Sequence, residues 1–286
     1  MKVKGNVRKA AVAGQFYPGD RRALESAVGG FLEKSEVFQL GTRVVALVAP
    51  HAGYMYSGRV AAQAYRQVAG RDINVVAVIA PSHTESFSGS SVFGGAGYET
   101  LLGGIPVHRR CVERLASYPT LTISDHGHQG GHLFRQEHAL EVQLPFLQSV
   151  LTDFSLIPIV MGDQDRTSCE QLGNALAEVL KEEKALIVAS SDLSHFHSYE
   201  EAVRLDRMVM EAVSDFDDRR LSEQLASGPC EACGGGPIVS ALIAARVLGA
   251  DRAQVLSYAN SGDVTGDRTQ VVGYMSAAFF KGNGGR

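Results

Sequence analysis

The sequence predicts an α/β fold: a single three-layer αβα domain over residues 1–286, its core at about 10–280, built on a mostly parallel sheet. Three observations predict it. Six short, β-branched apolar runs stand at 44–49, 75–80, 156–160, 185–190, 254–258 and 273–280. Four of them are continuous rather than alternating, as strands covered on both faces read. Helical patterns lie between most of them, and alternation of strand with helix calls for parallel pairing with helices on both faces.

The opening 1–20 carries Lys2, Lys4, Arg8 and Lys9, then only a short apolar stretch at 10–14, too brief for a signal-peptide core. The runs at 44–49 and 75–80 flank a helical pattern at 58–68 and form one βαβ unit. Each ends in Ala-Pro with a histidine just beyond, VVALVAPH and VVAVIAPSH. Adjacent parallel strands would deliver His51 and His83 to one carboxyl edge of the sheet, where ligands of open α/β sheets bind. Residues 84–104, rich in Ser and Gly, read as a long loop or a small hairpin outside the main sheet. Residues 124–136 (SDHGHQGGHLFRQ) read as a second loop, whose His126, His128 and His132 are expected to be solvated. A strand at 156–160 and a helix at 167–181 lead to the strand at 185–190, which runs into Ser191-Asp192-Leu193-Ser194-His195. Helical patterns follow at 200–213, 221–226 and 237–248. The last two strands have no helix between them and are expected to be antiparallel, and the tail at 281–286 is expected to fray.

Composition narrows the function. With 27 Lys+Arg against 31 Asp+Glu, a net charge of -4 and no basic stripe, nucleic acid is excluded as the main partner. No apolar run approaches the roughly eighteen residues that span a bilayer, so no membrane partner is expected. Four cysteines, at 111, 169, 230 and 233, are too few for a disulfide scaffold. Their number suits a reducing, cytoplasmic setting in which the thiols are free to act as ligands.

Three histidines and a carboxylate, His51, His83, His195 and Asp192, thus follow three strand ends. Any one of the histidines reads most simply as a hydrogen-bonded structural residue. Their coincidence at equivalent topological places points instead to a metal site, which neutral imidazoles suit. A third ligand must come from elsewhere: Glu141, Asp192 and Asp263 are the carboxylate candidates, Cys230 and Cys233 the thiols. Cys233 precedes Gly-Gly-Gly-Pro and the helix at 237–248, a place where the helix dipole favours thiolate. Cys230-Glu-Ala-Cys233 also matches a redox dithiol or half a zinc knuckle, but no second such pair exists. His138 and Glu141, three apart, share a face if helical and could supply a ligand, a proton shuttle or a brace. Dinucleotide, phosphate-loop and nucleophile-elbow motifs are absent. Ser190, Ser191 and Ser194 lie near His195 without an identifiable oxyanion hole.

On these residues the chain resembles the Memo family, the protein B component of the AmmeMemoRadiSam group. The matching motifs are Ala13-Gly-Gln-Phe-Tyr-Pro18, Ala49-Pro-His-Ala-Gly-Tyr54, Pro81-Ser-His83, Glu137-His-Ala-Leu-Glu141, Ser190-Ser-Asp-Leu-Ser-His195, Cys233-Gly-Gly-Gly-Pro-Ile238 and Tyr258-Ala-Asn-Ser-Gly-Asp263. They span about Ala10 to Phe280. The family is similar in fold to the class III extradiol dioxygenases, non-haem iron enzymes that hold their metal with two histidines and a glutamate. The resemblance implies His51, His83 and Cys233 as metal ligands, with the thiol in the carboxylate's place. It implies His195 as acid/base, Asp192 as an added ligand or as the group that orients His195, and one divalent metal ion, with iron favoured over copper or zinc. His138, Glu141, Tyr54 and Phe16 would bind substrate or brace the ligands. A small oxygen-bearing molecule is the implied substrate, and a radical-SAM protein and an AMMECR-like protein of the same system are the implied partners. Since a thiolate is softer than a carboxylate and can itself be oxidised, two other readings stand beside the enzyme: a peptide- or protein-binding module that keeps an old cleft, and a zinc-dependent hydrolase.

Overall fold

The computed structural model describes residues 5–129 and 136–283. His132 of the histidine-rich loop, Lys2 and Lys4 of the opening segment and the last three residues of the tail lie outside the described residues.

In chain order the elements are β1 (Val7–Arg8), α1 (Arg21–Glu33), β2 (Arg43–Ala49), α2 (Tyr54–Tyr65), β3 (Val75–Pro81), β4 (Ser90–Val92), β5 (Gly97–Thr100), β6 (Gly103–Pro106), α3 (Arg109–Leu115) and β7 (Leu121–Ile123). They continue with α4 (Leu144–Val150), β8 (Ser155–Met161), α5 (Arg166–Leu180), β9 (Ala185–Ser190), β10 (His195–His197), α6 (Tyr199–Ser214) and α7 (Asp218–Ser227). Last come α8 (Gly235–Val247), β11 (Arg252–Asn260), α9 (Gly262–Thr265) and β12 (Val271–Lys281). Short 3₁₀ turns follow α2 and precede α4.

The main sheet runs β10-β12-β2-β9-β3-β8-β4-β7, with β11 also paired to β12. Its heart, β2-β9-β3-β8, is parallel, with Ala49 beside Ser190 and Ile79 beside both Ala189 and Ile159. These strands are buried along nearly their whole length, because helices cover both faces. The contacts divide the helices into α1, α2 and α4 on one side and α3, α5, α6, α7 and α8 on the other. Helix α8 is buried all round its first three turns, between α5 and the sheet. Toward one edge the pairing turns antiparallel: β12 lies against β2 and β11 against β12, as the missing crossover helix requires.

Three features depart from expectation. First, β2 and β3 are not neighbours, since β9 lies between them and pairs with both. The βαβ unit therefore leaves a one-strand gap, and β9 fills it. Second, part of 84–104 enters the main sheet as β4, while β5 and β6 form the hairpin of a separate three-stranded sheet with β1. Third, helices α1, α3 and α4 and the single turn α9 lie outside the predicted set. Helix α1 was nevertheless legible, since Asp20 caps Ala23 N–H and Leu24, Val28 and Leu32 recur every fourth residue on its buried side.

His128 is a fourth correction: it is buried, not solvated. Tyr98 Oη donates to its Nδ1 at 2.6 Å and its Nε2–H reaches Ser91 O at 3.2 Å, so the neutral ring is fully used. His126 does remain exposed, its ring stacked on Phe87. Burial pushes the His128 pKa down to about 3, against about 6.5 in an unfolded chain. Between those values the unfolded chain binds the extra proton, so stability falls as the pH drops below about 6.5. Going from about pH 7 to about pH 5, the wild type should lose roughly 2 kcal/mol more unfolding free energy than a His128→Gln variant. Urea titrations at the two pH values check this; equal losses would remove His128 as a source of acid sensitivity.

Candidate metal centre

The loops at the carboxyl ends of β2 and β3 bring His51 and His83 together, while His195, past the end of β9, lines a cavity with Cys233. The His51 and His83 ring centroids lie 5.0 Å apart, and the His138 ring is 5.4 Å from the first and 4.8 Å from the second. His51, His83 and Cys233 each offer one donor atom, and these atoms all lie within 4.8 Å of one another. The three come from three separate parts of the chain, with β9 between the two histidine strands.

Hydrogen bonds fix which nitrogen of each histidine faces inward. Ser190 Oγ donates to Ala139 O at 2.6 Å, so it accepts from His51 Nδ1–H at 3.0 Å and from Gln143 Nε2 at 2.7 Å. The His51 Nε2 lone pair is thereby left facing Cys233 Sγ at 3.1 Å. For His83, Nδ1–H points to Glu137 Oε1 at 3.2 Å, which leaves its Nε2 free. Glu137 is saturated by the backbone N–H groups of His83, His138 and Ala139 at 2.6, 2.9 and 3.0 Å. Burial opposes its ionisation, but the His83 and Ala139 bonds outweigh burial and hold its pKa below the usual carboxylate value. Glu137 with His83 and His138 also forms a group of possible metal donors, yet a carboxylate so engaged is a brace rather than a free ligand.

Cys233 reaches the site because the chain before α8 approaches the end of β9 very closely. A Cβ on Gly234 would stand 2.2 Å from Ser190 O, and one on Gly236 would meet the Gln164 side chain at 2.8 Å. Gln164 ties the turn by donating to Cys233 O at 2.9 Å and accepting from Gly236 N–H at 2.8 Å. The thiolate expected from the helix dipole is not the form that burial at this position favours. Burial, with the Asp192 carboxyl adding to it, pushes the Cys233 thiol well up, because desolvating the sulfur outweighs the few N–H groups that face it. The thiol keeps its proton and donates it to His51 Nε2.

The electrostatics of the cluster favour neutral imidazoles. Burial lowers the His51 pKa far below its usual value, and His83, His138 and His195 lower it further. Burial likewise takes His138 down to about 4 and lowers His195. Lone pairs therefore converge where protons are excluded, an arrangement that suits a cation.

His195 donates Nδ1–H to Leu193 O at 2.8 Å, leaving Nε2 as an acceptor. Its loop is held from behind by Asp206, which accepts Ser194 N–H at 2.9 Å. Asp192 does not orient His195. Its Oδ1 accepts the N–H groups of His51 and Ala52 at 2.8 and 3.3 Å, and its Oδ2 lies 4.0 Å from His51 Nε2. Burial raises the Asp192 pKa to about 7. Phe16 stacks on His138 with ring centroids 4.2 Å apart. A cavity of about 610 Å³ lined by His195, Leu193, Cys233 and Gln164 adjoins the site. A larger hollow of about 830 Å³ opens around Arg21, Pro106 and Phe154, with no histidine or cysteine in its lining.

Four expected residues serve elsewhere. Glu141 pairs with buried Arg8 and accepts Tyr17 Oη–H at 2.5 Å and the N–H groups of Ala11 and Val12. His138 and Glu141 diverge because the chain at 137–140 is not helical. Tyr54 points into the core between Tyr17 and Phe146, its hydroxyl donating to Val142 O at 2.6 Å. Asp263 accepts from Tyr199 Oη and Asn260 N–H, and Cys230 is buried without joining a donor group among the described residues. Glu137 and Gln143 were missed, although Glu137 stands beside His138 in the same motif. Ser190, grouped by its position with His195, braces His51 instead. No helix among the described residues is long and apolar enough to cross a membrane.

The family model described as "Memo-like protein" matches residues 8–278. A MEMO1 family protein of Methanosarcina mazei is 39% identical over 273 residues, covering 94% of this chain and 98% of the relative. Those of Methanobrevibacter smithii and Aquifex aeolicus are 34% and 36% identical, each covering 96% of this chain and 99% of the relative. Among solved structures, the uncharacterized protein JW3007 from Escherichia coli K12 superposes with a TM-score of 0.53 at 16% identity, covering 82% of this chain and 99% of that one. That likeness concerns the fold alone.

Proposed function

Since the chain belongs to the family of Memo-like proteins, we propose that it is a metal-binding member of it, a non-haem iron, dioxygenase-like enzyme acting on a small oxygen-bearing substrate. The observation that carries this reading is the convergence of His51, His83 and Cys233 within 4.8 Å, with both imidazoles held in the tautomer that turns Nε2 inward. These residues fit a metal: two neutral nitrogens and a thiol that gives up its proton on coordination make a three-donor set with positions left open. Iron is favoured, with copper or zinc as the alternatives. When bound, the ion would supply Lewis acidity toward an oxygen-bearing ligand.

The chain's own residues do the rest. Glu137 and Ser190 keep the two histidines from turning. Asp192 anchors the backbone on which His51 stands. Phe16 and His138 shield one side from water, while half-exposed His83 borders the entrance. His195 Nε2 accepts a proton from the substrate and returns it, its Nδ1–H remaining on Leu193 O.

Protein purified without oxygen should contain about one equivalent of iron per chain and consume oxygen with a catechol or small oxoacid. Zinc in that position with hydrolytic turnover would favour the hydrolase. An absence of both metal and turnover would favour the non-catalytic binding module.

The brace formed by Glu137 makes a separate prediction. Glu137→Gln should weaken metal binding by about ten- to a hundredfold, as loss of a group behind a ligating histidine does. Isothermal titration with ferrous ion checks this, and an unchanged affinity would leave Glu137 a purely structural carboxylate.

A further inference from the structure

At the opposite edge of the sheet stands a second set of soft and hard donors that the site above does not use. His108 and Cys111 open α3, and Glu183 lies in the turn between α5 and β9. One donor atom from each lies within 4.8 Å of the others, although Glu183 is 72 residues from Cys111 in the chain. We infer that His108, Cys111 and Glu183 form a second cation site, suited to a borderline-soft divalent ion of the zinc type, that clamps α3 to the α5–β9 turn.

The frame around the three is fixed by bonds that do not involve their ligand atoms. His108 N–H donates to Leu156 O at 2.8 Å near the start of β8. Arg114, one turn into α3, donates to Val179 O and Glu178 O at 3.1 and 3.0 Å and so ties α3 to the last turn of α5. Glu183 N–H closes the turn on Leu180 O at 3.0 Å. The side chains stand otherwise: among the described residues His108 Nδ1 accepts only a long 3.2 Å bond, from Cys111 N–H. The Cys111 thiol and the Glu183 carboxylate make no side-chain hydrogen bond or ion pair among the described residues. Cys111 is buried, while His108 and Glu183 are partly exposed and open the site to solvent.

An imidazole, a thiolate and a carboxylate are the three ligand types that zinc accepts, and with one water they complete a tetrahedron. Donors of such a site stand roughly 3.5 Å apart, so the group must contract, and the long Glu183 side chain can close the distance by a rotamer change. On binding, the imidazole exchanges its long bond from Cys111 N–H for the metal, and the thiol proton passes to solvent. β8 and β9 begin at this edge, whereas the His51 cluster lies beyond their far ends. A seven-residue strand separates the two places by roughly 20 Å, so no single ion can serve both.

Cobalt(II), as a probe for zinc, tests this on the full chain carrying Cys233→Ser, which removes the thiol of the first centre. That protein should bind one cobalt with a thiolate-to-metal charge-transfer band. Adding Cys111→Ser should abolish the band, and adding Glu183→Gln should weaken binding at least about tenfold while keeping it. If Cys111→Ser fails to fold, His108→Ala, at a partly exposed position, should show the same loss of affinity. A Cys233→Ser protein without the band would overturn the site, as would a band that survives Cys111→Ser or an affinity indifferent to His108→Ala. Failure of the first centre would appear separately, as a wild-type cobalt signal unaffected by Cys233→Ser.

Discussion

Replacing Cys233 with serine is expected to lower iron affinity by on the order of a hundredfold or more, because a hydroxyl is a far poorer donor than a thiolate. Cys230→Ser is expected to change it little. The two thiols lie three residues apart, yet only Cys233 faces His51 Nε2, at 3.1 Å. Burial and the neighbouring Asp192 keep the thiol protonated, so metal binding must release that proton. Affinity should therefore rise with pH, and the pH dependence should flatten in Cys233→Ser. Cys233→Glu would restore the two-histidine, one-carboxylate set and should recover ferrous binding if the longer side chain is accommodated. Titration of the three variants with ferrous ion decides the matter. Equal losses in both serine variants would mean a dithiol pair, and no loss in either would make Cys233 a packing residue.

The second large effect is expected at His195. His195→Ala should reduce turnover about a hundredfold or more and leave the metal content unchanged. The geometry motivates the split: His195 spends Nδ1–H on Leu193 O and keeps Nε2 free, and it is outside the donor group formed by His51, His83 and Cys233. Burial lowers its pKa, which favours the neutral, proton-accepting form. Activity measured beside metal content separates the roles. Loss of metal in the variant would make His195 a ligand, and unchanged turnover would take it out of proton transfer.

Much of this was legible in the residues. The continuous apolar runs identified the parallel strands, since a strand covered on both faces has no polar side to display. The histidines after the strand ends pointed to the carboxyl edge, where donor atoms of His51, His83 and Cys233 lie within 4.8 Å of one another. The glycines after Cys233 marked the start of the helix that follows, and Gly234 proves to pack closely against Ser190 O. Each of these signals is local: it depends on which face or which end of one element a residue occupies.

The rest was decided by pairing across the fold. Nothing in the spacing of β2, α2 and β3 shows that β9, more than a hundred residues later, inserts between them. Nor does it show that Glu137 would take the brace's place while Glu141 turned away to Arg8 and the N–H groups of Ala11 and Val12. Both carboxylates lie in one motif, and which of them meets a histidine depends on the unwound chain at 137–140. His128, polar and set between Gly127 and Gln129, reads as solvated until Tyr98 and Ser91 are brought to its two nitrogens. The sequence by itself determined the strands, their chemically armed ends and the family to which the chain belongs, because periodicity and motif depend on neighbours along the chain. The tertiary structure alone decided strand order, the tautomers of His51 and His83 and the protonation of Cys233, because desolvation and hydrogen bonding depend on neighbours in space.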